Sequence, residues 1–388
     1  MTSRDSLRGA TAICGLGMTE LGRVYDRTAS DFAAEAVLGA LADAGLAKGE
    51  LDGLLLNAGI SQGIDLSLVQ TLGLRELSLL TQMNAYGSSA GQMVQYAALA
   101  VHHGLARHVA CVFADAPLVR GQRAGQAYGG ARARRPGLGS IVPSLGFAGP
   151  IPFYALHAQR HMDVYGTTQD QLGAIAVAAR AWARVNPKAT MREPLGLAEY
   201  HASPWVVAPF HVLDCCLVSN GAICVIVTSA ERARALARRP VYVHGVGQAH
   251  QLEWNDASPS LAQRSSRAAF AMAGCSAPGI DQCQIYDCYT FTVLTTLEDY
   301  GFCKRGEGGP FVASGAVAPG GSLPMNTGGG MLSSYYMWGM TPISEAVIQA
   351  RGDGGERQVA RNSRIAVSGN GGIFNHHATL VLSPHAAE

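Results

Sequence analysis

The sequence predicts an α/β fold made of two copies of one unit, and three observations predict it. Strand-like and helix-like stretches alternate through the first third of the chain, and the same alternation restarts at Pro240. The run ADAGLAKGELD at Ala42 to Asp52 also recurs without a gap as AMAGCSAPGID at Ala271 to Asp281, an offset of 229 residues (271 minus 42). Recurrence of order and spacing together marks an internal duplication. A chain of 388 residues is too long for one small core and suits two domains or one large pseudo-symmetric one. The expected halves are 1–238, with a loop excursion at 116–165, and 239–388.

In chain order, Ala10 to Gly17 reads as a buried strand. Thr28 to Ala44 reads as an amphipathic helix with Phe32, Ala33, Ala36, Val37, Ala40 and Leu41 on its apolar face. Leu51 to Leu56 is a second strand, Ser88 to His103 a second helix with Val94, Ala97, Ala98 and Val101 on one face, and His108 to Ala114 a third strand. Such alternation predicts a parallel sheet covered on both faces. Residues 116–165 break the rhythm with frequent proline and glycine. Five arginines, Arg120, Arg123, Arg132, Arg134 and Arg135, occur there with no acid between Ala116 and Gly149. They either hold phosphates of a nucleotide-like substrate tail or form a solvated face or subunit contact. Gln169 to Val185 returns to helix, and Gly221 to Thr228 is an apolar strand leading into a helix at Ala230 to Arg238. After Pro240, Val241 to Val246 is a strand, Ser258 to Ala273 a helix and Gln282 to Tyr286 a strand. A helix starting at Ser333 and a strand at Arg364 to Val367 then match the Ser88 helix and the His108 strand.

Composition narrows the function. Glycine is high at 47 residues, charged content is only 15%, and the formal net charge is +1; this balance argues against nucleic acid or an anionic membrane as partner. No run approaches 18 apolar residues, and Met1 to Ala10 lacks the apolar core of a signal peptide, so a soluble, cytoplasmic protein is expected. Nine cysteines, with only Cys215 and Cys216 close together, give neither a disulfide framework nor a zinc spacing and read as reduced, mostly buried thiols. His376 and His377 have no cysteine or carboxylate arranged with them, which argues against a metal there. Low charge with many small residues points to surface covered by another subunit.

Two stretches carry candidate chemistry. Asn326 to Met340 reads NTGGGMLSSYYMWGM: its three glycines leave the backbone bare for close approach, and Ser333 and Ser334 are expected to cap a helix running to Ala350. The N–H donors of a helix start suit an anion or a carbonyl oxygen that gains negative charge. The second stretch, Ile285 to Phe291, brings another tyrosine, Tyr286. A buried tyrosine ordinarily only hydrogen-bonds to a backbone carbonyl, and Cys288 and Tyr289 read as core because side chains leaving a strand alternate between faces.

These motifs resemble the thiolase superfamily over essentially the whole chain, in the branch of sterol carrier protein X and the bacterial lipid-transfer proteins. The resemblance implies duplicated α/β halves forming a five-layered α-β-α-β-α sandwich with a long inserted loop region. It also shows what is missing. Where the superfamily places its cysteine nucleophile in a stretch like NRxCxSG, this chain reads NAYGSSAGQ, so Asn84 matches and Gly87 replaces the thiol. The histidine of the GGxxxxGH motif falls at Tyr336, the second cysteine at Gly369 within SGNGG, and the HDCF segment reads YDCY at Tyr286 to Tyr289. Without a thiolate and its activating groups no acyl-enzyme can form at that place.

The YDCY segment, the NTGGG stretch and LEDYGFCKRGEG at Leu297 to Gly308 resemble the bacterial steroid side-chain aldolases instead. That resemblance implies retro-aldol cleavage of a β-hydroxyacyl-CoA to a ketone and a shorter acyl-CoA. It further implies a dimer in which each chain binds a small OB-fold partner with a zinc ribbon, and no cofactor beyond the coenzyme A of the substrate. Tyr336 is assigned as base on the β-hydroxyl and Tyr286 as donor to the enolate, with the reverse left open. A phenol acting as a free base would need a pKa lowered from about 10. Backbone N–H groups around Gly329, Gly330 and Gly371, with the Asn326 amide, are the oxyanion candidates, and Tyr86 and Trp338 the candidate pocket lining beside Gly87. Trp338 departs from the histidine of the steroid aldolases, which leaves the acyl chain open between a sterol side chain, a bile-acid chain and a smaller aromatic acid. The competing expectations are a thiolase with a relocated thiol such as Cys288 and a non-catalytic lipid-binding scaffold.

Overall fold

A computed structural model describes residues 7–128, 144, 147, 149–251 and 261–387. The first half runs β1 (Thr11–Met18), α1 (Ala29–Ala44), β2 (Gly53–Ala58), α2 (Leu68–Leu72), β3 (Leu79–Gln82), α3 (Ser89–His102) and β4 (His108–Asp115). Beyond the excursion come α4 (Ile151–Tyr165), α5 (Gln169–Arg184), α6 (Leu197–Ala202), a small hairpin of β5 (Trp205–Val207) and β6 (Phe210–His211), and β7 (Gly221–Ser229). The second half has β8 (Val241–His250), α7 (Leu261–Ala273), β9 (Gln282–Gln284), α8 (Thr290–Tyr300), α9 (Gly308–Ala313), α10 (Met340–Arg351), β10 (Ile365–Gly371) and β11 (His376–Ser383).

Side-chain alternation along the strands builds the layers. Leu54, Leu56, Ala110, Val112, Ala114, Ala222, Cys224 and Ile226 point to the outer core under α1 and α2. Their neighbours Leu55, Val109, Cys111, Phe113, Ile223, Val225 and Val227 point to a central core. In that centre α3 touches β2, β4 and β7 on one side and β10 and β11 on the other, while α10 packs between β9–β10 and β1–β7; α7 covers the far face of β8 and β11. The order is α-β-α-β-α, as the resemblance implied.

Nine strands are hydrogen-bonded in the order β3-β2-β4-β7-β1-β8-β11-β10-β9. The two half-sheets join only at Ala12–Tyr242 and Ile13–Val241. Among the described residues only the β2–β3, β2–β4 and β9–β10 strand pairs are parallel, so the expected all-parallel sheet is corrected to a mixed one. The last strand of each half, β7 or β11, runs antiparallel to its neighbours.

The repeat is visible in detail. Gly45 and Gly274, both in the left-handed conformation, end α1 and α7. Asp52 accepts the N–H groups of Arg107 (2.9 Å) and His108 (2.8 Å) where β4 begins, and Asp281 accepts that of Arg364 (3.0 Å) where β10 begins. These N–H groups would otherwise be orphaned at a strand start.

Two expectations change. The helix proposed from Ser333 begins at Met340, so the equivalent of the Ser88 helix is α10. Pro342 in its first turn is the local reason, because proline fits a helix start and not an interior. The helix after β7 is one turn, Ala230–Ala233, not a run to Arg238. Arg120 pairs with Asp26 at 2.7 Å and lies over the Tyr25 ring, both charges being exposed, an arrangement that agrees with the solvated-face alternative for this residue. Arg132, Arg134 and Arg135 lie outside the described residues.

One buried ion pair ties the central layer to the first half. Arg351, at the end of α10, donates to Asp43 (2.7 Å) and to the Cys14 carbonyl (2.9 Å), and Asp43 also accepts the Leu16 N–H (2.9 Å). Asp43→Ala leaves the more buried guanidinium without its counter-charge and is expected to cost about 3 kcal/mol in urea unfolding, whereas the carboxylate left by Arg351→Ala keeps Arg238 at 3.4 Å.

Candidate functional site

The site is laid out by backbone pairing between two loops. Asn326 donates its N–H to the Cys283 carbonyl (3.0 Å), and its Oδ1 accepts the Ile285 N–H (2.7 Å), so the NTGGG stretch lies along the end of β9. Buried Glu345 of α10 holds the next residue. Its Oε1 accepts from Thr327 Oγ1 (2.8 Å), and Arg357 grips both its oxygens at 3.0 and 3.2 Å. Gln284 donates to Thr327 Oγ1 (3.0 Å), and Asn186 donates to the Gly328 carbonyl (2.7 Å).

Beyond the glycines, Gly330–Ser334 forms a π-type turn rather than a helix start. Ser333 Oγ accepts from Arg180 Nε (3.1 Å) and Ser334 Oγ from Asn186 (3.3 Å), so neither serine caps a helix. Tyr335 is then extended, and Tyr336 is fixed by its N–H donating to Ser219 Oγ (3.0 Å). On the other loop, Tyr286 donates its N–H to Ser368 Oγ (3.0 Å), and its carbonyl accepts from Thr292 Oγ1 (3.1 Å).

These anchors bring the Tyr286 and Tyr336 hydroxyls to 3.0 Å. Tyr286 is buried and Tyr336 only partly so, which gives the pair one side toward solvent. Burial pushes the Tyr286 phenol well above its ordinary pKa, and the Tyr336 hydrogen bond opposes this only in part. Tyr286 is therefore held neutral, and either hydroxyl of the pair can donate to the other.

Gly87 explains the missing nucleophile in space as well as in sequence. A Cβ at position 87 would collide with the ring of Tyr286 and with the Asn370 carbonyl oxygen. The phenol occupies the place that a first-half side chain would take. The flanking residues repeat: Ala85–Gly87 and Met337–Gly339 form the same local bridge, with Tyr86 (φ 54°) and Trp338 (φ 44°) left-handed at its centre. The two helix starts abut, since a Cβ on Gly339 would meet the Gly87 carbonyl. Tyr86 is half-exposed and lies 6.3 Å from Trp338, which packs on Phe113 at 5.3 Å. Tyr86 and Trp338 thus form an aromatic wall beside Gly87.

The expected oxyanion groups divide. Gly371 lies against Ala85, Tyr86 and Gly87, beside the phenols. Gly329 packs on Ala183 and Gly330 on the Asp287 carboxylate, which takes the Met331 N–H (2.9 Å) and the Leu332 N–H (3.3 Å). The glycine run therefore serves an internal carboxylate. Asn326 lines a cavity of about 10 Å³, room for one water, together with Asp287, Tyr335, Thr341 and Glu345, and neither tyrosine of the pair lines it.

Cys288 is buried, and burial pushes its thiol far up against the hydrogen bonds of Thr292 (3.9 Å) and Tyr154; this removes the geometric support for a relocated nucleophile. Tyr289 stacks on Phe210 in the core. His376 meets His250 at 3.0 Å and stacks on Tyr86, and His377 meets Ser265 at 2.7 Å. Among the described residues no group of three or more His, Cys, Asp or Glu is arranged for a metal.

Sequence reasoning missed Asp287, Ser219, Ser368 and Thr292. Asp287 is fully buried, and burial pushes its carboxyl up to about 7 against the pull of the Met331 and Leu332 N–H groups. With a folded pKa above the unfolded one near 4, this group's contribution to stability is full below about pH 4 and is lost as pH rises through about 7. Between pH 5 and 8 the parent is expected to lose more melting temperature than Asp287→Asn, by thermal denaturation at both pH values.

The family described as thiolase C-terminal domain-like matches residues 244–384. A steroid side-chain-cleaving aldolase of Thermomonospora curvata is 35% identical over 364 residues, 89% of this chain and 91% of the relative. A 17-hydroxy-3-oxo-4-pregnene-20-carboxyl-CoA lyase of Mycobacterium tuberculosis is 34% identical, over 89% of this chain and 92% of the relative. Among solved structures, an Ltp2-ChsH2(DUF35) aldolase superposes with a TM-score of 0.86 at 33% identity, covering 98% of this chain and 99% of that one.

Proposed function

The chain belongs to the thiolase superfamily, in its sterol-carrier and steroid-aldolase branch, and from that premise we propose that it cleaves a β-hydroxyacyl-CoA by a retro-aldol reaction to a ketone and a shorter acyl-CoA. The observation that carries this reading is the 3.0 Å contact between the Tyr286 and Tyr336 hydroxyls at a place where Gly87 leaves no nucleophile.

The reaction needs the β-hydroxyl proton removed, the Cα–Cβ bond broken and Cα protonated; no covalent intermediate is required. Two neutral phenols in contact can do this as a relay. The β-hydroxyl gives its proton to the Tyr336 oxygen as Tyr336 gives its own to Tyr286, and Tyr286 gives its own to Cα as the bond electrons move there. The β-carbon becomes the ketone, the proton count closes, and neither phenol ionises. This suits a Tyr286 whose burial disfavours the phenolate, so no lowered pKa is needed. The N–H groups around Gly371 and Gly87 are the proposed donors to the thioester oxygen as it gains charge, a reading supported by the packing of Gly371 against Ala85, Tyr86 and Gly87.

The finer reading is a steroid side chain as the acyl group, held against the Tyr86 and Trp338 rings, with coenzyme A entering as part of the substrate and no other cofactor. The assembly is read as a homodimer, each chain carrying a small OB-fold and zinc-ribbon partner; the ChsH2(DUF35) component of the matching aldolase structure supports the presence of a partner. The near-neutral charge fits neither nucleic acid nor an anionic membrane, no helix among the described residues is long and apolar enough to cross a membrane, and the cytoplasm is the proposed location. The test is co-purification with small neighbouring proteins, followed by assay on branched and unbranched β-hydroxyacyl-CoAs. Cleavage of branched, ring-bearing substrates is expected, and no cleavage of any member would overturn the reading.

A further inference from the structure

We propose that Asp287 is the positioning residue that fixes the Tyr336 phenol against Tyr286, by gripping the turn Gly330–Ser334 from which Tyr336 emerges. The inference rests on the catalytic reading of the two tyrosines and adds a group that touches no substrate. Asp287 follows Tyr286 directly, so a carboxylate on one tyrosine's loop holds the backbone that carries the other. Its Oδ1 takes the Met331 N–H at 2.9 Å and its Oδ2 the Leu332 N–H at 3.3 Å. These bonds satisfy donors that a buried turn would otherwise leave unpaired, and each is strengthened when the carboxyl ionises.

Gly330 is part of the same device. It is left-handed (φ 60°), and a Cβ on it would collide with Asp287 Oδ2. From the turn the chain runs two residues to Tyr336, whose own N–H is tied to Ser219. The hydroxyl contact thus depends on the turn at one end and Ser219 at the other.

Burial holds the Asp287 carboxyl up at about 7 against the pull of the Met331 and Leu332 N–H groups and the Asn326 side chain, and the other groups that face it add no competing ionised partner. Cys216 and Cys288 are neutral because burial pushes both thiols up, and Tyr286 is neutral for the same reason. Glu345, across the small cavity, is paired with Arg357. Asparagine at 287 keeps the shape but can accept only one of the two N–H groups and turns a donor toward the other.

The test compares Asp287→Asn, Gly330→Ala and the double variant with the parent chain, with its partner where one co-purifies. Three readouts are taken: kcat and KM on a β-hydroxyacyl-CoA cleaved by the parent, alkaline titration of the phenols by ultraviolet absorbance, and melting temperature. Both single variants are expected to lower kcat by about 100-fold, the scale of a displacement of about 1 Å, with KM within about threefold and the phenol titration shifted. The double variant is expected to be little worse than either single, because both break one contact. Unchanged kcat and phenol titration in a folded Asp287→Asn, or a loss confined to KM, would overturn the proposal. If Asp287→Asn does not fold, Gly330→Ala decides alone on the same criteria. If the parent cleaves no β-hydroxyacyl-CoA, the aldolase reading fails by itself, and the phenol titration still decides whether Asp287 holds the pair.

Discussion

Tyr336→Phe is expected to lower kcat by about 10³-fold, within the range for losing a general acid–base group, with little change in KM or melting temperature. The phenyl ring keeps the packing, and the backbone anchor to Ser219 Oγ does not involve the hydroxyl. What is lost is the oxygen proposed to receive the β-hydroxyl proton, which lies 3.0 Å from the Tyr286 hydroxyl. Tyr286→Phe should lose as much, since the relay then has no group to protonate Cα. Groups acting as a unit are not additive, so the double variant should be no more than severalfold worse than either single. A Tyr336→Phe chain that keeps a tenth of parental kcat would show that the phenols pack the site and do not move protons.

The second large effect concerns the position of the missing nucleophile. Gly87→Cys restores the residue type that the thiolase pattern has there, yet it is expected to give no acyl-enzyme and to cut aldolase kcat by more than about 100-fold. The Cβ alone collides with the Tyr286 ring and the Asn370 carbonyl; the ring must swing away, and the contact with Tyr336 breaks. Gly87→Ala should behave the same way without a thiol, which separates crowding from chemistry. Intact-protein mass after exposure to an acyl-CoA, with kcat on the β-hydroxy substrate, reads both outcomes. An acyl adduct on the introduced thiol with parental aldolase activity would contradict the geometry.

Much of this was legible in the residues because it depends on local periodicity or on exact repetition. All six apolar residues read on α1 are buried, and the two aspartates at the ends of the repeated run make the same strand-start bonds. The tyrosine pair was legible only through the family pattern, since nothing within either stretch says that residues 50 apart (336 minus 286) meet. The misread helix start came from weighing Ser333 and Ser334 as caps over Pro342, although the turn's serines are claimed by Arg180 and Asn186 on α5 and the loop beyond it. Ser219, Ser368 and Asp287 were not legible as site residues. Their partners lie far along the chain or are main-chain N–H groups, which no side-chain pattern announces. The glycines at 329 and 330 suggested a cradle for a ligand, but their neighbours are Ala183 and the carboxylate of Asp287.

The most direct measurement is the stoichiometry and coenzyme A dependence of cleavage. Purified chain, with its partner where one co-purifies, is given a β-hydroxyacyl-CoA with no free coenzyme A, and products are counted by liquid chromatography and mass spectrometry. The paired-phenol account predicts equal amounts of ketone and shorter acyl-CoA, formed at full rate and with no mass added to the protein. Cleavage that starts only when free coenzyme A is supplied, or that leaves an acyl group on the chain, would contradict it.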